Sequence, residues 1–210
     1  MNTLCITGAV STGFEGISNL LFDAGLEPAK PIERESIISI EDWHERAAPL
    51  LQSQRSPGKL WEQLAGDLLL ANMDQQRWGW ADPETLWAAD FWAELEPGIR
   101  FLLLAATPQD YLAHCLLNEG EAESEDVYLT RWREVHEKLL GFYLAHPDRC
   151  LLVDAQQAQA NPSALLEKLN TRWHLDLELV EAKLPTLAGR TQQAPLTLAR
   201  HLADKSLNGQ

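Results

Sequence analysis

A glycine-bracketed loop near the amino terminus has the residue types and spacing of an anion-binding turn. The loop contains Gly8, Ser11, Thr12 and Gly13, follows an apolar run and precedes an amphipathic stretch. Strand, glycine loop and helix in this order present backbone N–H groups and a helix N-terminus to a phosphate. The loop has no lysine or arginine, and Glu15 in the next turn would repel an anion. The sequence therefore predicts a loop with the backbone layout of a phosphate-binding turn but with a negative side chain where phosphate binding would need a positive one.

Two interpretations of this loop remain open. It can bind an anion through backbone N–H groups alone, or it can be a tight strand-to-helix turn in which Ser11 or Thr12 caps the helix. The second interpretation is favoured, because no cation accompanies the loop.

Histidines are the other candidates for chemistry. His114, on a predicted helix, is a candidate general base, although the sequence offers no nucleophile to pair with it. His44 with Glu41 and Glu45, and His136 beside Glu137, resemble metal-binding patches but lack an HExxH-type arrangement. We expect solvated helix faces at both places and no bound metal.

The elements that must position these residues alternate along the chain. Short apolar strands are predicted at residues 4–6, 77–80, 99–106 and 149–154, and helical patterns lie between them. This alternation predicts an α/β fold, a three-layer sandwich with a mainly parallel central sheet. Ligands of such sheets bind at the carboxyl ends of the strands, which here are the opening loop, Asp82, Thr107-Pro108 and Asp154-Ala155.

Composition restricts the partners. The formal charge of −14 opposes binding to nucleic acid or to anionic membranes. No apolar run approaches the length of a membrane span and no leader pattern opens the chain, so we expect a cytoplasmic protein without membrane insertion. Cys5, Cys115 and Cys150 lack metal-type spacing, and Cys5 and Cys150, which lie in strand-like runs, are expected to be core residues.

Three strand ends together resemble the sulfotransferase family of P-loop-type proteins. Members have Gly-x-x-Arg/Lys-Ser-Gly-Thr/Ser after the first strand, Trp-Gly-Trp-Lys-Asp-Pro before a helix with Phe-Trp, and a third strand ending in Arg-His/Asp-Pro. This chain has GAVSTGF at residues 8–14, WGWADP at 78–83 with Phe91-Trp92, and AATP at 105–108. Later in the chain, members of the family have a strand followed by Glu-Asp-Leu-x-x-x-Pro, whereas this chain has Gln156-Gln157-Ala158 and Pro162 at the corresponding places. The order and spacing agree over residues 3–175.

The resemblance also shows what this chain lacks. In the family, the loop cation, the lysine before Asp-Pro, and an arginine and a serine after the third strand bind the sulfate donor PAPS. Ser11, Ala81, Ala106 and His114 occupy those places, whereas the scaffold residues Gly8, Gly13, Asp82 and their neighbours remain. The resemblance thus implies a P-loop sulfotransferase-like fold with a degenerate donor site.

From this comparison we expect a domain over residues 1–183 and a tail over 184–210 that packs on the domain or on a partner. The leading hypothesis is a non-catalytic binding or assembly protein with no cofactor. Its partner would be another protein, bound through the tail and through exposed tryptophans among Trp43, Trp61 and Trp132.

The alternative is an active sulfotransferase that transfers a sulfuryl group from PAPS to a small molecule or saccharide, with Glu15 or His114 as base. A nucleotide-binding protein or kinase is poorly supported, because no Walker-type lysine is present.

Overall fold

The computed structural model describes residues 2–33, 37–118 and 124–178. Within these ranges, the elements in chain order are β1 (Asn2–Gly8), α1 (Thr12–Asp23), β2 (Glu27–Pro28), β3 (Ile32–Glu33), β4 (Ile37–Ile38), α2 (Ile40–Gln52), α3 (Lys59–Ala71), β5 (Arg77–Ala81), α4 (Thr85–Leu95), β6 (Arg100–Ala105), α5 (Pro108–Asn118), α6 (Glu125–Ala145), β7 (Cys150–Asp154), α7 (Ala155–Ala160) and α8 (Pro162–Trp173).

The central sheet has the strand order β2-β5-β1-β6-β7, and all four pairings are parallel. β1 lies in the middle, with Cys5 opposite Trp80 on one side and Phe101 on the other. The predicted α/β class with a mainly parallel sheet is therefore confirmed. No helix among the described residues is long and apolar enough to cross a bilayer.

Helices cover both faces of the sheet, because the strands are apolar on both sides. One core cluster contains side chains from α2, α3, α4 and α6, with Trp78 and Trp80 from β5. The other contains α1, α7 and α8 packed on Ile6, Leu102 and Leu151. The prediction that Cys5 and Cys150 pack in the core is confirmed, since both side chains are buried, and Cys115 is buried as well.

The helix starts follow local sequence signals. Ser39 caps α2 in a capping box: its side chain accepts from Asp42 N–H, and the Asp42 carboxylate accepts from Ser39 N–H. Asn161 caps α8 just before Pro162, which stands where its missing N–H costs nothing. Gly25 closes α1 with a φ of +99°.

One helix and one two-stranded hairpin were not predicted. α7 begins directly after β7, and a short antiparallel hairpin pairs β3 with β4. The run of acidic residues over 118–126 predicts a solvated loop, but Asn118 ends α5 and Glu125 opens α6, so this prediction is wrong at both ends. Its middle lies outside the described residues. The boundary at 183 and the tail 184–210 also lie outside them.

Candidate functional site

The opening loop turns sharply at Gly8. Gly8 has φ +142°, and a Cβ placed on it would lie 2.2 Å from the Leu104 carbonyl oxygen. Ala9 N–H donates to the same oxygen at 2.8 Å, so the loop stays pinned to β6 as it leaves the sheet. Only glycine fits this approach, which explains the residue at the start of the loop.

The loop leaves almost no space for a ligand. The cavity beside it has a volume of about 10 Å³ and is lined by Ser11, Gly13, Ala106, Asp110, Ala155, Gln156 and Gln159. This is about the space that one water molecule requires. It is much too small for a nucleotide phosphate with its sugar.

The short helix α7 closes the loop. A Cβ on Gly13 would lie 3.1 Å from the Ala155 carbonyl oxygen and 3.3 Å from the Ala155 Cβ. Gly13 therefore lets the first turn of α1 approach the start of α7. Because the strand-end aspartate, Asp154, caps α7 through Gln157 N–H at 2.8 Å, this arrangement is fixed by local hydrogen bonding.

Ser11 stands at the N-cap position of α1 without performing the capping bond. Its backbone is extended, its side chain is buried, and its hydroxyl has no hydrogen-bond partner. The expectation that Ser11 caps the helix is wrong. Thr12 is the first helical residue, and Glu15 is an exposed residue of the first turn.

The end of β6 is held by α6. Ala106 N–H donates to His136 Nε2 at 3.2 Å, and the Ala106 carbonyl accepts from Trp132 Nε1 at 2.8 Å. His136 Nδ1 then donates to the Trp132 carbonyl at 2.8 Å. His136 is thus part of a structural clamp, not of the solvated face that we expected.

Next to Ala106, the charge at the cavity is negative. Asp110 lines it, accepting from Thr107 Oγ1 at 2.8 Å and from Gln156 Nε2 at 3.4 Å. The side chains that line this cavity in the described chain include no lysine, arginine or histidine. His114 lies further along α5, where its ring is 3.3 Å from Asn118 Nδ2 and its carbonyl also accepts from that amide.

A buried histidine supports the strand end at β5. His44 is fully buried, and its Nδ1 lies 2.7 Å from Asp82 Oδ2. Its Nε2 accepts from Trp92 Nε1–H at 2.8 Å, which places the ring proton on Nδ1, facing Asp82. The prediction of a solvated helix face is therefore wrong for His44.

Asp82 is the partly exposed end of this network. Its side chain is 13% exposed, its second oxygen accepts from Glu84 N–H at 2.9 Å, and its own N–H donates to Ile6. Partial desolvation, and then the Asp82 carboxylate, raise the pKa of the nearby Glu84. The sequence analysis named both Asp82 and His44 but did not pair them, because no local pattern connects residues 38 positions apart.

The described residues include no group of three or more His, Cys, Asp or Glu side chains arranged to hold a metal.

The expected patch of exposed tryptophans differs from what the structure shows. Trp43 is fully buried and donates to the Trp61 carbonyl at 2.7 Å, while Trp61 and Trp132 are half-buried against the core. Trp43 is therefore not part of an exposed aromatic anchor, and Trp61 and Trp132 are only partly accessible.

Comparisons with solved structures identify proteins of similar fold. A sulfotransferase from Alicyclobacillus acidocaldarius superposes with a TM-score of 0.56 at 12% identity, covering 97% of this chain and 92% of that one. A deoxyadenosine kinase from M. mycoides with bound dATP has a TM-score of 0.45 at 15% identity, over 80% and 99% of the two chains. An uncharacterized protein from Eubacterium ventriosum has a TM-score of 0.44 at 10% identity, over 81% and 98%.

A scan against protein-family models and a search of curated proteins found no match. The similarity to the Alicyclobacillus sulfotransferase shows that this chain has a sulfotransferase-like α/β fold with a parallel sheet.

Proposed function

We propose that this protein is a sulfotransferase-like domain that does not bind the sulfate donor and works as a non-catalytic binding or assembly protein. The observation that carries the proposal is the closed loop cavity of about 10 Å³, which α7 covers and which no cation lines. Its lining instead includes the carboxylate of Asp110.

Estimated binding energies support the loss of donor binding. Truncating one partner of a close, desolvated charge pair costs about 2–5 kcal/mol. The absence of two such cations therefore weakens binding by roughly a thousandfold or more, at about 1.4 kcal/mol per decade. Transfer of a sulfuryl group also depends on positive charge for its transition state, so catalysis would suffer beyond binding.

The direct test is a thermal shift with the desulfated donor product, adenosine 3′,5′-bisphosphate, backed by calorimetry. We expect no shift at 1 mM ligand. A ligand present at about 100 times its Kd stabilises by about 2.7 kcal/mol, which in a chain of this size raises Tm by roughly 5–10 °C.

A matched variant assigns any shift to the loop. Ser11→Asp adds a carboxylate inside the cavity and is compatible with an N-cap position, so it removes anion binding there without removing a helix signal. A clear shift in the natural protein that disappears in Ser11→Asp contradicts the proposal. Stoichiometric recovery of one protein partner in a pull-down, with no nucleotide bound, supports it.

One observation favours the alternative, an active sulfotransferase with a divergent donor site. Asp82 is a partly exposed carboxylate at a strand end, oriented by His44. If the protein is an enzyme, Asp82 is the best placed base, ahead of Glu15 and His114, because its partly exposed carboxylate lies at a strand end and is held by the hydrogen bond with His44. Donor-dependent sulfation that is lost in Asp82→Asn would establish this alternative and contradict our proposal.

A further inference from the structure

Arginines gather at the end of the sheet where the parallel strands begin, opposite the strand ends that carry the candidate site. Arg77 and Arg100 are the first residues of β5 and β6, Arg149 immediately precedes β7, and Arg172 lies in the last turn of α8. The chain as a whole has a formal charge of −14, so this end of the sheet differs from the general charge of the molecule.

Three of these arginines hold backbone carbonyl groups. Arg149 donates to three carbonyls between the last turn of α4 and the start of β6, at 2.9 to 3.1 Å. Arg172 donates to the Pro147 carbonyl at 2.7 Å, and Arg77 donates to carbonyls next to the ends of α1 and α8. Each of these three side chains therefore has a structural role that is sufficient to explain it.

Arg100 has no such role. Within residues 2–33, 37–118 and 124–178, its side chain takes part in no hydrogen bond and no ion pair, although the residue is partly buried. It lies beside Arg149, because Phe101 pairs with Cys150 and Phe101 N–H donates to the Arg149 carbonyl at 2.9 Å. Partial burial, and then the charge of Arg100, lower the pKa of the Arg149 guanidinium. The two cations therefore destabilise each other when no anion is present.

The end of α8 crosses the same end of the sheet. The His174 carbonyl accepts from Asn2 Nδ2, at the start of β1, at 3.2 Å. Arg172 reaches the other way, to the Pro147 carbonyl just before β7. Because β6 lies between β1 and β7, the end of α8 spans the start of β6, which is Arg100.

Side-chain alternation puts Arg100 on the face of β6 that packs against α8. Leu102 lies in one core cluster with the leucines of α8, and residues two apart on a strand point to the same face. Burial raises the pKa of the Cys150 thiol to about 12, and Arg149 and Arg172 both oppose this rise, so both cations lie near the start of β7. Arg100, Arg149 and Arg172 therefore form one group, which we call the arginine cluster.

The arginine cluster has donors left for an anion. A guanidinium carries five N–H groups; the bonds described above use three on Arg149 and one on Arg172, and Arg100 uses none. Glu96 and Asp148 lie close by in the chain, yet in the part of the chain that the structure describes neither carboxylate forms an ion pair with the cluster. The positive charge of the cluster is thus not neutralised by these neighbours.

From the unpartnered Arg100 and the two arginines beside it, we infer that the arginine cluster binds a small dianionic oxyanion of the phosphate type, as inorganic phosphate or as a phosphate monoester. The planar donor fork of arginine matches phosphate oxygens bidentately. Two negative charges also offset the repulsion between Arg100 and Arg149. Extended polyanions are disfavoured, because the net charge of −14 repels them. The cluster and the opening loop lie at opposite ends of the strands, so this inference and the proposed function can fail independently.

Thermal unfolding of the full chain in inorganic phosphate tests the inference. At pH 7.5 and constant ionic strength, about 10 mM phosphate should raise Tm by at least about 2 °C, as for a ligand at several times its Kd. Arg100→Gln should reduce this shift at least threefold. Arg133→Gln, which removes an equal charge from an exposed position on α6, should retain it. Phenyl phosphate distinguishes the two sources: an equal or larger shift supports a monoester, and a shift with inorganic phosphate alone supports the free ion.

A second measurement separates anion binding from a structural role. Without phosphate, Arg100→Gln should be at least as stable as Arg133→Gln, because it removes a like charge beside Arg149 and breaks no hydrogen bond. A lower Tm for Arg100→Gln in phosphate-free buffer would overturn the inference. So would the absence of a phosphate shift in the natural protein, an equal shift with nitrate, a shift that Arg100→Gln retains, or a shift that Ser11→Asp in the opening loop removes.

Discussion

At the residue scale, His44 connects two parts of the molecule that are far apart in the chain. It receives a hydrogen bond from Trp92 and gives one to Asp82 from a position with no solvent exposure. Because both partners are polar and largely buried, the imidazole satisfies groups that water cannot reach. The residue is structural for α2 and α4, and it orients the strand-end carboxylate at the same time.

We predict that His44→Ala lowers the free energy of unfolding by about 3 kcal/mol. The substitution leaves Trp92 Nε1 and one Asp82 oxygen unpaired, each at about 1–3 kcal/mol, and adds a cavity. Urea unfolding measures the change. Glu45→Ala, an exposed neighbour, should remain within about 0.5 kcal/mol. A cost below 1 kcal/mol for His44→Ala would show that the network is replaced by water.

Burial of the Cys150 thiol makes the free energy of unfolding fall at alkaline pH. Burial raises the pKa of Cys150 to about 12, and neighbouring Arg149 opposes this only in part. Above the pKa of a free thiol, about 8.5, the unfolded chain releases this proton while the folded chain keeps it, so stability falls as pH rises. Below that pH the contribution is complete.

The corresponding prediction compares the natural protein with Cys150→Ala. Between pH 7.5 and pH 10, the natural protein should lose on the order of 1–2 kcal/mol more unfolding free energy than the variant, since only it has this thiol to ionise. Urea unfolding at both pH values measures the difference. Equal losses in the two proteins would mean that the Cys150 thiol ionises alike in the folded and unfolded chains.

At the element scale, helix starts separate into two kinds that sequence alone does not distinguish. Ser39 and Ser11 both stand at N-cap positions, yet only Ser39 makes the capping bonds. We predict that Ser39→Ala costs about 1 kcal/mol of stability, whereas Ser11→Ala stays within about 0.5 kcal/mol because no hydrogen bond is lost. Chemical denaturation of the two variants side by side provides the measurement. A larger cost at Ser11 would reveal a bound partner for its hydroxyl.

Much of the fold could be predicted because its signals are local. The apolar run of β6, the capping box before α2 and the glycine after α1 each lie within a few residues of what they determine. α7 was missed because AQQAQA has no apolar periodicity and its helix depends on Asp154 as cap and on packing against Gly13. Segment 118–126 was assigned to a loop by charge alone, although acids at Glu125 and Asp126 suit the first turn of a helix.

The site was predicted less completely, because part of it depends on contacts between residues that are far apart in the chain. The positions around the loop, Gly8, Ser11 and Ala106, follow from spacing along strand ends. Closure of the cavity does not, because it depends on how near Ala155 comes to Gly13. Burial of Trp43 and His44 was also missed, since helical spacing identifies a face but not what covers it.

At the scale of the whole molecule, charge dominates the response to solvent. A formal charge of −14 on 210 residues produces self-repulsion in the folded state. We predict that raising NaCl from 0.05 to 0.5 M increases Tm by several degrees, because salt shortens the Debye length from about 14 to about 4 Å. Differential scanning calorimetry with a matched concentration series measures this.

A decrease in Tm at high salt would also be informative. The described ion pairs, such as Lys30 with Asp74 and Lys138 with Asp90, are largely exposed and each contributes little. If Tm fell with salt, these local pairs would outweigh the overall repulsion.

The central position of β1 has a consequence for how the chain is made. β1 comprises residues 2–8, yet its two neighbours are β5 and β6, which end at residues 81 and 105. At about 5–20 residues per second, a ribosome needs roughly 5–20 s after the first strand to deliver both partners. During that interval the central strand of the sheet is already synthesised and has nothing to pair with. Newborn chains would therefore depend on chaperones that hold an exposed amino-terminal segment, and slower translation before residue 105 would lengthen that dependence.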